Sequence, residues 1–174
     1  MADSLDAILS VIYNRKSVRK FKDGDKAIPE ETLEAILKAA FAAPSARNVQ
    51  PWHFIVVYER AILNALGDAL PYAKMLYDAS VAIVVCGDEN ESELQWSVDC
   101  AAATQNILLS AEAFGLGAVW TAVHPRIERI SPTKKILSLP DNIIPLSVIP
   151  IGYPVGVEKP KDKYKPQRVH INRW

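Results

Sequence analysis

Residues 93–115 constrain the fold of this chain more than any other segment. Between Gln95 and Gly115 only Asp99 and Glu112 carry charge, and small or apolar residues occupy most positions of the predicted helix. A helix that is apolar on most faces must be covered on more than one side. Its Gln, Asp, Asn and Ser residues argue against a membrane span. We predict a central helix that also packs against a second subunit; the alternative is a helix buried within one monomer.

The remaining hydrophobic patterns predict helices and strands on either side of this helix. Helices are expected over residues 5–13, 29–41 and 62–70, with short helices between 125 and 139. Strands are expected at 53–58, 81–86, 118–123 and 144–153. Pro150 indicates that the last strand is bent or lies at an edge. About four strands and several helices place the chain in the α/β or α+β class with one sheet.

Bulk properties limit the partners and the compartment. The 174 residues fit one domain, and 20 basic and 20 acidic residues cancel, so no net field favours nucleic acid or an acidic membrane. No signal peptide is visible at the start, and the longest apolar stretch, residues 81–86, is too short to cross a bilayer. Cys86 and Cys100 lie in apolar settings and are expected to be buried thiols. These features predict a reducing, cytoplasmic location.

Several catalytic motifs are missing from the sequence. The three histidines occur in unrelated contexts, and no Cys-x-x-Cys, Gly-x-Ser-x-Gly or P-loop occurs, so no metal site is expected. Gly115-x-Gly117 follows a helix and precedes a strand, which indicates a helix C-cap and not a dinucleotide fingerprint. An enzyme with this sequence would need a bound cofactor for the difficult chemistry.

Two polar segments carry residue types suited to a nucleotide-like ligand. Arg15-Lys16-Ser17-Val18-Arg19 places three cations and a hydroxyl within five residues, which suits a phosphate dianion. The alternative is that these cations answer a helix dipole. Residues 43–52 hold Ser, Asn and Gln between two prolines, which suits the polar edge of a planar heterocycle. The alternative there is a structural loop with self-capping Ser and Asn.

The tail, residues 158–174, has neither helical nor strand periodicity. It is basic, yet it ends in Val169, Ile171 and Trp174, and a disordered tail should lack such large apolar residues. We predict a main domain over residues 1–157 and an extended arm over residues 158–174. The arm is expected to dock on a protein surface, either of its own subunit or of the partner subunit.

Together these segments resemble the nitroreductase family of FMN-binding flavoproteins. Arg-Lys-Ser-Val-Arg is similar to its Arg-x-Ser-x-(Arg/Lys) segment, and Pro-Ser-Ala-Arg-Asn-Val-Gln-Pro-Trp to its Pro-Ser-x-x-Asn-x-Gln-Pro-Trp loop. Gly115-Leu116-Gly117 before Trp120, then Ile151-Gly152-Tyr153-Pro154 and the basic tail, follow in the family order. The resemblance spans nearly the whole chain. It implies an α+β fold, an α-β-α sandwich with one mixed, mainly antiparallel sheet of four to five strands, in an interwoven homodimer with two FMN sites.

The resemblance also implies roles for individual residues. Arg15 and Ser17 would bind the FMN phosphate together with Lys163 and Lys165 from the tail. Lys16, which lies between Arg15 and Ser17, is also expected to be a cofactor-binding residue. Arg19 would lie near the pyrimidine edge of the flavin. The loop residues Pro44, Ser45, Ala46 and Asn48 would contact the flavin, in this family often that of the opposite subunit. The backbone around Thr121 and Ala122 would lie near flavin N5.

The implied reaction is ping-pong hydride transfer from NADH or NADPH through flavin N5 to an organic acceptor such as a nitroaromatic or quinone. Reduced flavin is anionic along its pyrimidine edge, so a fixed cation there favours reduction, and Arg19 is the predicted catalytic residue. The alternatives are a specialised relative (a reductive dehalogenase or flavin-fragmenting enzyme), a non-catalytic FMN-binding or sensing module, and a dimeric α/β interaction protein without flavin.

Overall fold

The computed structural model describes residues 2–22, 24–156 and 158–174. Five α-helices surround one sheet: α1 (Ala2–Asn14), α2 (Glu30–Phe41), α3 (Arg60–Ala69), α4 (Trp96–Ala113) and α5 (Ile127–Leu137). The strands are β1 (Phe21–Lys22), β2 (Trp52–Val57), β3 (Val81–Asp88), β4 (Gly117–Ala118), β5 (Thr121–Ala122) and β6 (Ile143–Pro154). Single 3₁₀ turns occupy Ala46–Asn48, Lys74–Tyr77 and Pro166–Arg168.

Strand β6 is the centre of the sheet. It pairs with β3 on one side and with β1, β4 and β5 on the other, and every pairing between the described strands is antiparallel. Of the two alternatives predicted from Pro150, a bent strand or an edge strand, the edge position is therefore wrong. Because Ile151 turns its carbonyl oxygen toward Ser80 on the β3 side, Pro150 faces the opposite side. There the neighbouring strand is interrupted between β4 and β5, so the missing N–H of Pro150 breaks no ladder hydrogen bond.

Strand β3 shows why the fold has three layers. Val81, Ile83 and Val85 join the apolar cluster that includes residues of α2 and α4. The alternate residues Ala82, Val84 and Cys86 join a second cluster with residues of α3. A continuous apolar run is expected when both faces of a strand are covered. The α-β-α sandwich is thus confirmed. The sheet has six strands instead of the predicted four to five, because the segment predicted as one strand at 118–123 forms β4 and β5 and because β1 was not predicted.

Helix α4 lies against the sheet and beside α2 and leaves one stripe uncovered. Cys100, Ala103, Thr104 and Ile107 are buried. The stripe at helical spacing consists of exposed or half-buried residues: Val98, Ala101, Ala102, Gln105 and Leu109. The short helices predicted between 125 and 139 form the single helix α5, which continues through Pro132.

Two other segments expose apolar side chains in the single chain. Helix α1 exposes Leu5, Ile8, Ile12 and Tyr13, and the tail exposes Tyr164, Val169, Ile171 and Trp174. Large contiguous apolar surface is uncommon on soluble monomers and marks interaction sites. The tail contains one short turn, Pro166–Arg168, and otherwise no regular element among residues 158–174.

Candidate active site

A cavity of about 320 Å³ lies where the two ends of the chain meet. It is lined by Arg15, Lys16, Ser17 and Arg19 after α1 and by Glu158, Lys159, Lys161 and Lys163 from the tail. Six of these side chains are cationic and one is acidic, although the chain as a whole has no net charge. This cationic cavity brings together the predicted phosphate residues Arg15, Ser17 and Lys163, and its local field favours an anion.

Val18 fixes the segment of residues 15–19 to the sheet. Its backbone N–H donates to the carbonyl oxygen of Ala118 at 3.0 Å, and its side chain is buried. The neighbouring Ser17 and Arg19 line the cationic cavity instead of the core. One buried valine therefore sets the position of the polar residues on either side.

Lys16 is held by an ion pair with α4. Its Nζ lies 2.9 Å from Oε1 and 3.2 Å from Oε2 of Glu112, and both side chains are mostly buried. The Glu112 carboxylate compensates part of the positive charge in this segment. The role of Lys16 in cofactor binding stays a prediction, and its contact in this chain is with Glu112.

Arg19 also lines a second cavity, of about 150 Å³, which we call the Thr121 cavity. Its other lining residues are Pro71, Tyr72, Met75, Val119, Trp120, Thr121, Ala122 and Arg129. The predicted pyrimidine-edge residue and the two predicted backbone positions therefore share one cavity. Arg129 Nη1 donates to the carbonyl oxygen of Ala122 at 2.9 Å, which fixes the orientation of that backbone.

Sequence reasoning missed Tyr72 and Arg129 in the Thr121 cavity. Tyr72 is highly exposed, and its φ of 64° lies in the left-handed region. Arg129 reaches Ala122 from α5. An exposed aromatic residue directly after Pro71 was the available signal for Tyr72, whereas Arg129 stands in a charged helical segment without a distinguishing motif.

The loop of residues 44–51 is strained, because several of its residues have left-handed backbone conformations. Arg47, Asn48 and Gln50 have φ values of 54°, 58° and 57°, in a region that non-glycine residues rarely adopt. The N–H of Gln50 donates to Ser45 Oγ at 3.0 Å, and Gln50 Nε2 donates to Asn48 Oδ1 at 3.2 Å. The loop therefore has the internal hydrogen bonds of a structural loop together with the strain that often accompanies function.

Within one chain this loop is far from the cationic cavity. The N–H of Ala46 donates to Asp99 Oδ1 in the first turn of α4, whereas Lys16 binds Glu112 near the end of the same helix. Asp99 and Glu112 are 13 residues apart. At about 1.5 Å per residue the two contact points are about 20 Å apart. Pro44, Ser45, Ala46 and Asn48 are thus not brought to Arg15 and Ser17 by a single chain.

Lys165 lies along the tail, next to the cationic cavity. It lines a broad surface cavity of about 550 Å³ together with Lys161, Lys163 and Arg168. Lys163 lines both cavities, so the two predicted tail residues are neighbours along one basic surface.

The comparisons with known proteins identify the family of this chain. The profile described as Nitroreductase family matches residues 12–73 and 66–153. The chain belongs to the nitroreductase family. A provisionally named NADH dehydrogenase/NAD(P)H nitroreductase from Methanothermobacter thermautotrophicus is 43% identical over 169 residues, which cover 96% of this chain and 87% of the relative.

Solved structures of nitroreductase-family proteins share the fold. A crystal structure from Parabacteroides distasonis, with the same provisional name, is 50% identical and has a TM-score of 0.93, covering 96% of this chain and 98% of that one. An FMN-dependent nitroreductase from Clostridium difficile R20291 is 29% identical with a TM-score of 0.89, covering 95% and 99%.

Among the described residues of this nitroreductase-family chain, no helix is both long enough and apolar enough to pass through a lipid bilayer.

The two cysteines of this nitroreductase-family chain are free and buried, as predicted. Burial raises the pKa of Cys86 to about 12, and burial also raises that of Cys100 to about 12, with Cys86 and Asp99 nearby adding to the effect. Thiols that stay protonated are poor nucleophiles. The two thiols are therefore expected to be unreactive in the folded chain.

His53, Asp88 and Glu91 form a cluster that their spacing in the sequence does not reveal. One ligand atom of each lies within 4.8 Å of the others. Asp88 already accepts hydrogen bonds from Asn142 Nδ2 at 2.8 Å and from the N–H of Asn90 at 2.9 Å. Burial raises the pKa of Asp88, but the hydrogen bonds from Asn142 and Asn90, together with nearby His53 and the backbone of Glu91, lower it more, so the pKa lies below its usual value. The prediction that the chain holds no metal stays a prediction.

Proposed function

We propose that this chain is one subunit of a homodimeric, FMN-dependent oxidoreductase that transfers hydride from NADH or NADPH to a small organic acceptor. The observation that carries the proposal is that Arg19 lines both the cationic cavity and the Thr121 cavity. FMN has a dianionic phosphate at one end and a planar ring at the other. A cationic cavity joined through one arginine to a cavity with aromatic walls fits both ends.

Individual residues would hold the two ends of FMN. Arg15, Ser17 and Lys163, with Lys165 beyond them, would bind the phosphate through charge-assisted hydrogen bonds. Arg19 would present its guanidinium to the pyrimidine edge, and the backbone of Thr121 and Ala122 would face the ring. When bound, FMN would supply the two-electron chemistry, taking hydride from a reduced nicotinamide and passing it to the acceptor.

Two charged side chains would preorganise the ring site before any ligand arrives. Arg129 holds the carbonyl oxygen of Ala122 at 2.9 Å, so the adjoining backbone has a fixed orientation. Arg19 adds a positive charge to the lining of the same small cavity. Dipoles and charges that are fixed in advance need no reorganisation during the reaction.

A second copy of the chain would complete each site. The 44–51 loop contacts the start of α4 and the cationic segment contacts its end. A two-fold axis that packs two α4 helices antiparallel would place the loop of one copy beside the cationic segment of the other. The uncovered stripe on α4, which includes Val98, Ala102 and Gln105, is available for that contact.

The apolar side chains exposed on α1 and on the tail support the same assembly. Ile8 and Tyr13 of α1 and Ile171 and Trp174 of the tail are each at least three-fifths exposed in the single chain. An obligate dimer interface would cover such residues, because permanent interfaces are large and apolar and resemble a core divided between two chains. We propose that the tail of each subunit crosses to its partner.

Purified protein tests the proposal most simply. The protein should be yellow or should bind added FMN stoichiometrically, and anaerobic mixing with NADH or NADPH should bleach the flavin within the turnover time. Light scattering should give the mass of a dimer. A colourless protein that ignores FMN would refute the proposal, and FMN binding without nicotinamide-dependent bleaching would indicate a binding or sensing role.

A further inference from the structure

Asp99 is the buried carboxylate that joins the 44–51 loop to α4. It lies in the first turn of the helix and is 6% exposed. Its Oδ1 accepts a hydrogen bond from the N–H of Ala46 at 3.1 Å. The hydrogen bonds of Ser45 and Asn48 remain inside the loop, so they set its shape without fixing its place on the helix.

The second oxygen of Asp99 is buried without a hydrogen-bond partner among the described residues. A carboxylate oxygen that is taken out of water and left unpaired opposes folding. The helix dipole favours an acidic residue in the first turn of α4. The N-cap residue of this helix, Gln95, makes no side-chain cap hydrogen bond, and Asp99 accepts its hydrogen bond from the 44–51 loop and not from the helix end. Global stability alone therefore gives a poor account of an aspartate here.

The loop needs an external support because its own conformation is unfavourable. Arg47, Asn48 and Gln50 all have positive φ, and such residues persist only where the surrounding structure determines them. A hydrogen bond to a charged acceptor is stronger than one to a neutral acceptor. The contact from Ala46 to Asp99 immediately precedes the first strained residue.

We propose that Asp99 is a positioning residue that locks the 44–51 loop in its left-handed conformation, so that Ser45 and Asn48 are presented to the FMN of the opposite subunit. This inference rests on the proposed function for its consequence in flavin binding. Its structural half, that Asp99 orders the loop, concerns this chain alone.

The rate of trypsin cleavage measures how often the 44–51 loop opens, and this measurement needs no flavin. Arg47 is exposed within the loop, and cleavage of a folded protein follows the population of locally open states. Mass spectrometry of flavin-free protein would give the rate of cutting between Arg47 and Asn48. Asp99→Ala should raise this rate about tenfold, the loss expected for a hydrogen bond to a charged group.

Two further variants separate positioning from general stability. Asp99→Asn keeps an oxygen for the Ala46 N–H, so it should restore cutting to within about threefold of the wild type. Thr104→Val, on the same helix, removes a buried hydroxyl that bonds Cys100 and Ser147 and not the loop. It should lower the melting temperature without faster cutting at Arg47.

Flavin titration completes the test. Asp99→Ala should raise the FMN Kd about tenfold and shift the visible absorption of bound flavin, whereas Thr104→Val should leave both unchanged. The inference would be overturned if Asp99→Ala were cut after Arg47 at the wild-type rate, or if Thr104→Val were cut there as fast as Asp99→Ala. Faster cutting with unchanged FMN affinity would overturn its flavin half. A wild-type chain that binds no FMN would refute the proposed function, and the cutting rates would still decide whether Asp99 orders the loop.

Discussion

The Nζ atom of Lys16 lies 2.9 Å from Oε1 of Glu112, and this ion pair joins the segment that lines the cationic cavity to the end of α4. The two side chains are 23% and 17% exposed, so each would leave a poorly hydrated charge if the other were removed. The contact therefore contributes to the position of Arg15 and Ser17, which flank Lys16 in the sequence.

Replacing Lys16 by methionine should lower the free energy of unfolding by about 1–2 kcal/mol, because Glu112 loses its counter-charge in a partly buried setting. The double variant Lys16→Met with Glu112→Leu should recover most of that loss. Urea denaturation of the flavin-free protein measures both. FMN affinity should fall less in Lys16→Met than in Arg15→Ala. A larger loss of FMN affinity in Lys16→Met than in Arg15→Ala, with unchanged stability, would show that Lys16 acts mainly as a phosphate ligand.

Arg19→Ala should slow flavin reduction by NADH or NADPH about 100-fold, because a fixed positive charge is lost where negative charge develops. FMN should be retained with a smaller loss of affinity, since Arg15, Ser17 and Lys163 remain. Arg19→Lys is the matched control and should recover part of the rate. Stopped-flow absorbance under anaerobic conditions measures the step. Full-rate reduction in Arg19→Ala would remove Arg19 from this role.

Gly117 allows the cationic segment to approach the sheet closely. A Cβ at this position would lie 2.6 Å from Cγ1 of Val18, which forces Val18 to move. Gly117→Ala should cost about 1–3 kcal/mol of stability and weaken FMN binding, because Ser17 and Arg19 move with Val18. Gly115→Ala is the control, since its φ of 70° imposes strain in open space away from Val18. Equal FMN affinity in Gly117→Ala and the wild type would contradict this role.

The buried cysteines should be unreactive in the native protein. Because burial raises the pKa of both thiols to about 12, the folded state keeps their protons above the pH at which the unfolded chain loses them. Their contribution to stability is then present below about pH 9 and is lost as the pH rises toward 12. Ellman titration at pH 8 should detect no thiol until denaturant is added. Rapid native labelling would show that the two sites open easily.

Elements with a local cause could be predicted from the sequence. The apolar run Val81–Cys86 has no exposed face, so a strand covered on both sides was the consistent solution, and β3 confirms it. Gly115 follows the central helix and has a φ of 70°, as a C-cap glycine requires. The cationic segment was recognisable because its charges are adjacent in the sequence. The family resemblance, and not a local pattern, implied that Lys163 joins Arg15 and Ser17, and the three residues line one cavity.

Features with a nonlocal cause could not be predicted. The place of Pro150 in the central strand depends on an interruption between β4 and β5, some 30 residues earlier in the chain. Asp99 and Ala46 are 53 residues apart, so no pattern near either residue indicates their hydrogen bond. The sequence contains these residues, but the topology decides which of them meet.

The most direct test of the account is a heterodimer made from two defective subunits, one with Arg15→Glu and one with Asn48→Leu. If each FMN site takes its cations from one subunit and its loop from the other, the mixed dimer holds one intact site and one doubly defective site. Tag-selected heterodimers should then bind about half the wild-type amount of FMN and regain about half its reductase activity, while each homodimer binds poorly. Heterodimers as inactive as both homodimers would show that each site lies within one chain and would contradict the account.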